Sequence, residues 1–535
     1  MSIRSLGIML DCSRNAVMTP KKVKEFASLI AGMGYNMLLL YTEDTYEIEG
    51  EPFFGYMRGR YTKEELQDID AHCASIGVEL VPCIQMLAHL EHLTQWPRFK
   101  SLFDIEDILM VGDERVYELI DKMFATIHNC FTTRRVHIGM DEAHHIGLGK
   151  YLDQNGPCNR TLLMAEHLTK ITQIAEKYGF SLMMWSDMFI RLNNNGLYYG
   201  DNVVIPQETI DAVPAGVELV YWDYYSKDKS RYDNMFKAHA KFKNNSTAFA
   251  GGIWTWTGYA PNLRFSMDAT EAAMRSIQEN RVDTVFFTMW GDNGKDCSQF
   301  TTLPVLFAAA QMAKGNFDRE DIARRFMQHT GYSFEEFMAL ELPNLTEEKE
   351  SNKDNPCKNL LFNDPFIGLL DFTVSDDLSA RYAAYAKQLA ASINGREYDY
   401  LFIFMSKLLD VLSVKCDLGV RIRKAYASKD ADQLRKFVDQ EIPMLIAEID
   451  QLYVAFRTVW LTENKAFGLE VQENRFGGLL LRLRSCKDRL EDYLAGRISQ
   501  IDELEEKQEA FMPGYEGKRI TFNNFGFTYT ACAHN

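Results

Sequence analysis

Residues 134–142 read Arg-Arg-Val-His-Ile-Gly-Met-Asp-Glu, a short apolar stretch that ends on two adjacent carboxylates, Asp141 and Glu142. The apolar run predicts a strand. A strand that stops at Asp-Glu would set both acids at the mouth of a (β/α)8 barrel, where such barrels keep their chemistry. Successive strand residues point to opposite sides, so the pair is poorly placed to flank one bond from both faces, as the two carboxylates of most glycosidases do. It suits a division of labour, in which one acid protonates a leaving group and the other orients something beside it. His144 and His145 follow the acids and invite a metal reading, but they lack a third ligand at useful spacing. No metal site is expected.

The elements that must carry these acids can be traced along the chain. From residue 5 to about 314, short apolar strands alternate with amphipathic helices, the pattern of a parallel sheet. Strands are predicted at Leu6–Asp11, Met37–Tyr41, Val78–Ile84, the acid-bearing stretch, Leu182–Trp185, Glu218–Trp222, Ala248–Trp254 and Thr284–Trp290. Thr19 and Pro20 open one helix, Thr62-Lys-Glu-Glu65 forms a capping box for the next, and Glu114–Phe131 leads into the acid-bearing strand. Further helices fit 160–178, 230–243, 262–280 and 303–314. Eight βα units in this length predict a TIM barrel over residues 1–315. Trp185, Trp222, Trp254 and Trp290 each close a predicted strand. One such Trp is as well explained by core packing; four at the same end of successive strands are better explained as the wall of one pocket. Residues 316–359 read as a linker region, polar and acidic over Thr346–Asn359. Residues 360–535 read as a mainly α-helical C-terminal domain, with helices near 377–394, 399–425, 431–464 and 475–507 and an irregular or β-like tail over the last twenty residues. The glycines of Arg475-Phe-Gly-Gly478 suit close helix packing, and a homodimer face or a wall beside the leaving group is an alternative use of these helices.

The chain has 535 residues and a net charge of −17, which argues against nucleic acid or an anionic membrane as partner. Its 34 Phe, 25 Tyr and 7 Trp suit a carbohydrate site, but a core of this size needs aromatics too. Ten cysteines stand without CxxC or metal-finger spacing, several in apolar runs such as Cys83 and Cys130, as reduced thiols of a cytoplasmic protein would. The N-terminal residues lack a signal-peptide core, and no stretch is long and apolar enough to span a bilayer.

Four motifs in register give this barrel a resemblance. His137-Ile-Gly-Met-Asp-Glu142 resembles the signature of the family 20 glycoside hydrolases, the β-N-acetylhexosaminidases. Asp11-Cys-Ser-Arg14 is similar to the family's Asp-x-Ser-Arg, Pro82-Cys-Ile-Gln-Met-Leu-Ala-His89 to its Pro-x-Ile-x4-His, and Trp290-Gly-Asp292 to its Trp-Gly-Glu. The chain resembles the shorter branch that begins with the barrel. Asp292 stands where a Glu is common, and Trp254-Thr255-Trp256 replaces the family's Trp-Tyr.

The resemblance implies exo-acting release of terminal β-linked N-acetylglucosamine or N-acetylgalactosamine from a glycan or glycoconjugate, with no metal or organic cofactor. The substrate's own 2-acetamido oxygen would attack the anomeric carbon, the substrate-assisted exception to the two-carboxylate rule. Glu142 would protonate the departing oxygen and then activate water; Asp141 would hold the acetamido N–H. Arg14 and Asp292 would grip sugar hydroxyls. His89, with Glu43 or Asp44, would form a hydrogen-bond chain behind Glu142. Tyr224 is the candidate for the acetamido oxygen, with Tyr225 second. A neighbouring Asp141 charge and a dry pocket should both help Glu142 keep its proton. Asp187, two residues past Trp185, reaches the rim or caps a helix and is left outside the catalytic set. Two alternatives remain open: a retaining glycosidase of another family, with Asp292 as the best second carboxylate, and a non-catalytic amino-sugar-binding barrel.

Overall fold

The computed structural model describes residues 3–346 and 351–509. The expected irregular tail therefore falls outside the described residues. Two compact units emerge. The first holds the chain up to Ile253, Ser266–Trp290 and Val305–Ile322; the second holds Trp254–Phe265, Gly291–Pro304 and the chain from Ala323 onward.

In the first unit eight parallel strands close into a barrel. They are β1 (Ser5–Asp11), β2 (Met37–Glu43), β3 (Glu79–Ile84), β4 (Arg135–His137), β5 (Ser181–Trp185), β6 (Glu218–Trp222), β7 (Thr247–Gly252) and β8 (Thr284–Met289). Each pairs with the next, and β1 pairs with β8 through Leu6 and Val285 to complete the ring. Both β1 and β2 are buried along their whole length. Strands covered on both faces need continuous apolar sequence rather than alternation, which is why Met-Leu-Leu-Leu-Tyr reads so plainly.

The connecting helices start where their caps dictate. Thr19 accepts the Lys22 N–H ahead of Pro20–Met33, and Gly34, at φ 110°, ends that helix in the left-handed conformation. Thr62 and Glu65 form the predicted capping box on Lys63–Ser75. Helices Glu114–Cys130, Arg160–Lys177 and Lys229–His239 stand within a residue or a few of their predicted spans.

One strand departs from expectation in a way that matters. β4 ends at His137, four residues before Asp141, so the acids do not alternate along a strand. The backbone instead turns through Gly139 and Met140, both at φ 68°, and Glu142 at φ 51°. The turn stays fastened to its neighbour: Ile138 N–H bonds to the Met183 carbonyl at 2.9 Å and Trp185 N–H to the Gly139 carbonyl at 3.1 Å. A hydrophobic pattern carries no sign of such a turn beyond the glycine itself.

The second unit is helical. Its long helices are Leu378–Ala390, Asp399–Lys415, Leu418–Ala427, Ile442–Glu463 and Leu469–Leu494. The predicted 399–425 helix is thus broken at Cys416–Asp417, and the last helix starts six residues early and stops at Leu494. It runs straight through Gly477 and Gly478. A side chain at either glycine would meet no atom within 4 Å, so close packing is not their role. The segment 291–304 is held within this unit by a buried ion cluster: Asp296 contacts Lys358 at 2.6 Å, Arg475 at 3.2 Å and Gln472 at 2.6 Å. The stretch 316–359 carries helices Arg319–Thr330 and Phe334–Met338. No helix among the described residues is long and apolar enough to cross a membrane.

Gly139 offers a direct check on the turn after β4. Its Cβ would collide with the Gln85 carboxamide, and its φ is left-handed. Gly139→Ala should lower unfolding free energy by more than the roughly 1–2 kcal/mol expected of the dihedral alone, measured by urea denaturation; an unchanged midpoint would contradict the geometry.

Candidate active site

The residues after β4 meet those after β1, β2, β3 and β5 inside the first unit. Gln85, just past β3, organises the turn. Its Oε1 accepts the Met140 N–H at 3.1 Å, and its Nε2 donates to Asp141 Oδ1 at 2.8 Å and to the Tyr41 hydroxyl at 3.0 Å. Tyr41 in turn donates to Glu43 Oε1 at 2.9 Å. Arg14 closes the chain, with Nη1 3.5 Å from Glu43 and Nε 3.8 Å from Asp11. A continuous polar network therefore runs from Asp141 to Arg14.

His89 stands at the other side of Asp141. Its Nε2 is 3.4 Å from Asp141 Oδ2 and 3.9 Å from Glu142 Oε2. Its backbone is left-handed, at φ 57°, and is fixed by an N–H bond to Asp107 at 2.7 Å. Burial drives the imidazole toward neutrality, but the charge and hydrogen bond of Asp141 outweigh it and raise its pKa to about 10. Asp141 shows the mirror behaviour: burial pushes its carboxyl up, while His89 and the Gln85 bond hold it below the ordinary range. The two effects agree on a protonated His89 against an ionised Asp141. Glu43 is pushed up to about 7, by burial first, with Arg14 and His89 opposing. His89 is thus Asp141's partner first, and Asp44 takes no part in the chain; it pairs with Arg58 at 3.0 Å.

Glu142 differs from its neighbour. Its side chain is 43% exposed, against 13% for Asp141, so the expected dry setting does not apply to it. Its N–H donates to Asp187 Oδ2 at 3.3 Å, and Arg191 lies 3.9 Å from Oε1. An accessible carboxyl that can exchange protons sits beside a fixed, buried anion. Acid–base chemistry next to a developing positive charge is what this arrangement suits.

The tryptophans divide. Tyr224 stacks on Trp222 with centroids 5.2 Å apart and shares side-chain hydrogen bonds with Trp290 and Thr288. Trp290 meets Tyr41 edge-on at 4.8 Å. These rings form one aromatic wall. Trp185 lies beside Trp290, 1% exposed and packed on His137 at 4.4 Å. His137 is neutral: burial drives its pKa down to about 3. Trp254 and Asp292 belong to the second unit, where Trp254 stacks on Trp256 at 4.3 Å. Tyr225 is 38% exposed.

Sequence reasoning missed Gln85, Tyr41 and Arg191 and set Asp187 aside. Gln85 lay inside the quoted Pro82–His89 motif and could have been found by asking what fills the position between strand and histidine. Arg191 has no such signal. His145 pairs with Glu106 at 2.9 Å, and no group of three or more His, Cys, Asp or Glu among the described residues is arranged to hold a metal.

Comparison with known proteins gives the following. Residues 6–232 match the model of the glycosyl hydrolase family 20 catalytic domain, and residues 335–522 match the Glycoside Hydrolase 20C C-terminal domain. Hexosaminidase D of Homo sapiens is 24% identical over 218 residues, covering 38% of this chain and 42% of the relative. Hexosaminidase D of Bos taurus is 24% identical over 221 residues, covering 38% and 60%. The chain thus matches less than two thirds of the length of these curated relatives. The structure of a β-N-acetylhexosaminidase from Bacteroides fragilis NCTC 9343 is similar over 62% of this chain and 71% of its own, at 17% identity and a TM-score of 0.47.

The ion pair makes a pH-dependent prediction. His89 binds its proton more tightly folded than unfolded, so its contribution to stability is complete below about pH 6.5 and is lost as pH rises through about 10. Asp141 runs the other way, losing its contribution only as pH falls through its lowered pKa. The stability difference between wild type and His89→Gln, from urea unfolding at several pH values, should therefore shrink steadily between pH 7 and 10. A constant difference would contradict the pairing.

Proposed function

We propose that this chain, which belongs to glycoside hydrolase family 20, is an exo-acting β-N-acetylhexosaminidase that works by substrate-assisted, retaining catalysis. The observation that carries this reading is the contrast within the acid pair: Asp141 buried and held ionised by His89 and Gln85, Glu142 open to solvent and free to take and give protons. In this proposal the substrate's 2-acetamido oxygen attacks the anomeric carbon as the glycosidic bond breaks. Glu142 gives its proton to the departing oxygen. Asp141 accepts the acetamido N–H and balances the positive charge that spreads over the oxazolinium ring. Water then enters with Glu142 as base, the ring opens, and the sugar leaves with its anomeric configuration retained.

The other residues take supporting roles. Arg14, joined to Asp11 and Glu43, grips sugar hydroxyls, and His89 keeps Asp141 anionic. Trp222 and Trp290 give the sugar ring its apolar wall, with Trp185 beside Trp290. Tyr224, already bonded to Trp290, offers its hydroxyl to the acetamido oxygen. The substrate is a glycan or glycoconjugate with a terminal β-linked N-acetylhexosamine. A cytoplasmic setting accords with the nine free cysteines among the described residues, eight of them buried.

The test sets nitrophenyl β-N-acetylglucosaminide and β-N-acetylgalactosaminide beside plain β-glucoside and β-galactoside. Turnover should require the acetamido group, and equal rates on the plain glycosides would overturn the mechanism. Glu142→Gln should lower kcat by about 10²–10⁴-fold while a thiazoline mimic of the intermediate still binds, and Asp141→Asn should be severely impaired. A near-normal rate in Asp141→Asn would remove that residue from the mechanism.

A further inference from the structure

Asp187 has no part in the mechanism above, yet it is completely buried against the acid pair. It opens the short helix Asp187–Arg191 just after β5. Its Oδ2 accepts two bonds, from the Glu142 N–H at 3.3 Å and from Arg191 Nε at 3.1 Å. Its Oδ1 is buried with no hydrogen-bond partner among the described residues. Two features of Glu142 call for such a neighbour. Its backbone is left-handed, at φ 51°, a conformation that a non-glycine residue keeps only when its surroundings impose it. Its carboxylate also lies 3.9 Å from Arg191, whose guanidinium is held over the faces of Tyr198 and Trp222, 5.5 Å from each centroid. Arg191 therefore stands between two carboxylates.

We propose that Asp187 is the positioning residue of the acid–base group: it fixes the backbone of Glu142 and holds Arg191 in shared contact with both carboxylates, so that its charge decides how much of Arg191 is available to Glu142. This rests on the reading of Glu142 as the general acid and base. A neutral acceptor would have served the backbone bond alone. A carboxylate in this place does more, because a negative charge near Glu142 favours its protonated form while Arg191 favours the ionised one. The groups facing Asp187 are Asp141 and Glu142 from the turn after β4, Arg191 from its own helix, and Tyr198 beyond it. Burial, then the Asp141 charge, raises the Asp187 carboxyl to about 7 against the pull of Arg191. Its charge therefore changes within the range where the enzyme would work.

Two variants separate charge from shape. Asp187→Asn keeps an oxygen for the Glu142 N–H but is always neutral, leaving Arg191 to Glu142. Asp187→Ala removes both. In Asp187→Asn the alkaline limb of the kcat/KM profile on nitrophenyl β-N-acetylglucosaminide should move to lower pH by about one unit, with KM within about threefold of wild type. In Asp187→Ala, kcat should fall about tenfold or more across the whole profile, and Asp187→Asn should recover that loss at low pH. An unmoved limb in Asp187→Asn, or two variants that behave alike, would overturn the proposal. A readout without turnover keeps it separate from the proposed activity: the Glu142 carboxyl carbon resonance, assigned by its loss in Glu142→Gln, should titrate at lower pH in Asp187→Asn. If wild type hydrolyses no N-acetylhexosaminide yet this resonance moves, the assigned reaction fails and the positioning role stands; if the resonance stays put, the positioning role fails.

Discussion

The site depends on one ion pair, His89 against Asp141. Burial penalises both charges, and each survives because the other is there. Removing one partner of a buried pair typically costs about 3–5 kcal/mol, because an uncompensated charge is left behind. The pair also needs satisfied neighbours, which Gln85 supplies on Asp141 and Asp107 supplies on the His89 backbone. The rest of the barrel mouth keeps Asp141 ionised and still while leaving the Glu142 side chain open to solvent.

Holding that arrangement requires backbone strain at the barrel rim. Glu43, His89, Met140 and Glu142 all adopt positive φ, at 41°, 57°, 68° and 51°. Each L-residue in that region costs roughly 1–2 kcal/mol. Such costs persist where the surroundings over-determine the conformation, and the barrel does so: β2, β3 and β4 are locked in register through Tyr41, Cys83 and His137. The rigid ring tolerates four unfavourable residues at its rim, and those residues aim the side chains that meet at Asp141.

The barrel was legible in the sequence because buried parallel strands need unbroken apolar runs and their helices need caps. Thr19, Thr62 and Glu65 announced the helices, and Met37–Tyr41 announced a central strand. The acid pair was legible as a position in the chain, but its geometry was not. Gly139 ends β4 early, and the alternation expected of strand residues gives way to a tight turn. Trp185 was legible as an aromatic at a strand end, yet its burial against His137 depends on packing that no local pattern encodes. Gln85, Arg191 and Asp187 were harder still: each matters through a partner more than 40 residues away or through a neighbour's backbone, and single-sequence periodicity has no access to either. In the second unit, Gly477 and Gly478 hinted at close packing, whereas the helix passes them with open space on that side.

The most direct measurement varies the proposed nucleophile itself. Nitrophenyl β-glycosides bearing acetamido, fluoroacetamido, difluoroacetamido and trifluoroacetamido groups at C2 change the oxygen's nucleophilicity while barely changing shape. If the substrate's own oxygen attacks the anomeric carbon, kcat should fall steeply with each added fluorine. A flat series, or a stable bond between a 2-fluoro sugar and a protein carboxylate, would show that the enzyme supplies the nucleophile and would contradict the roles given to Asp141 and Glu142.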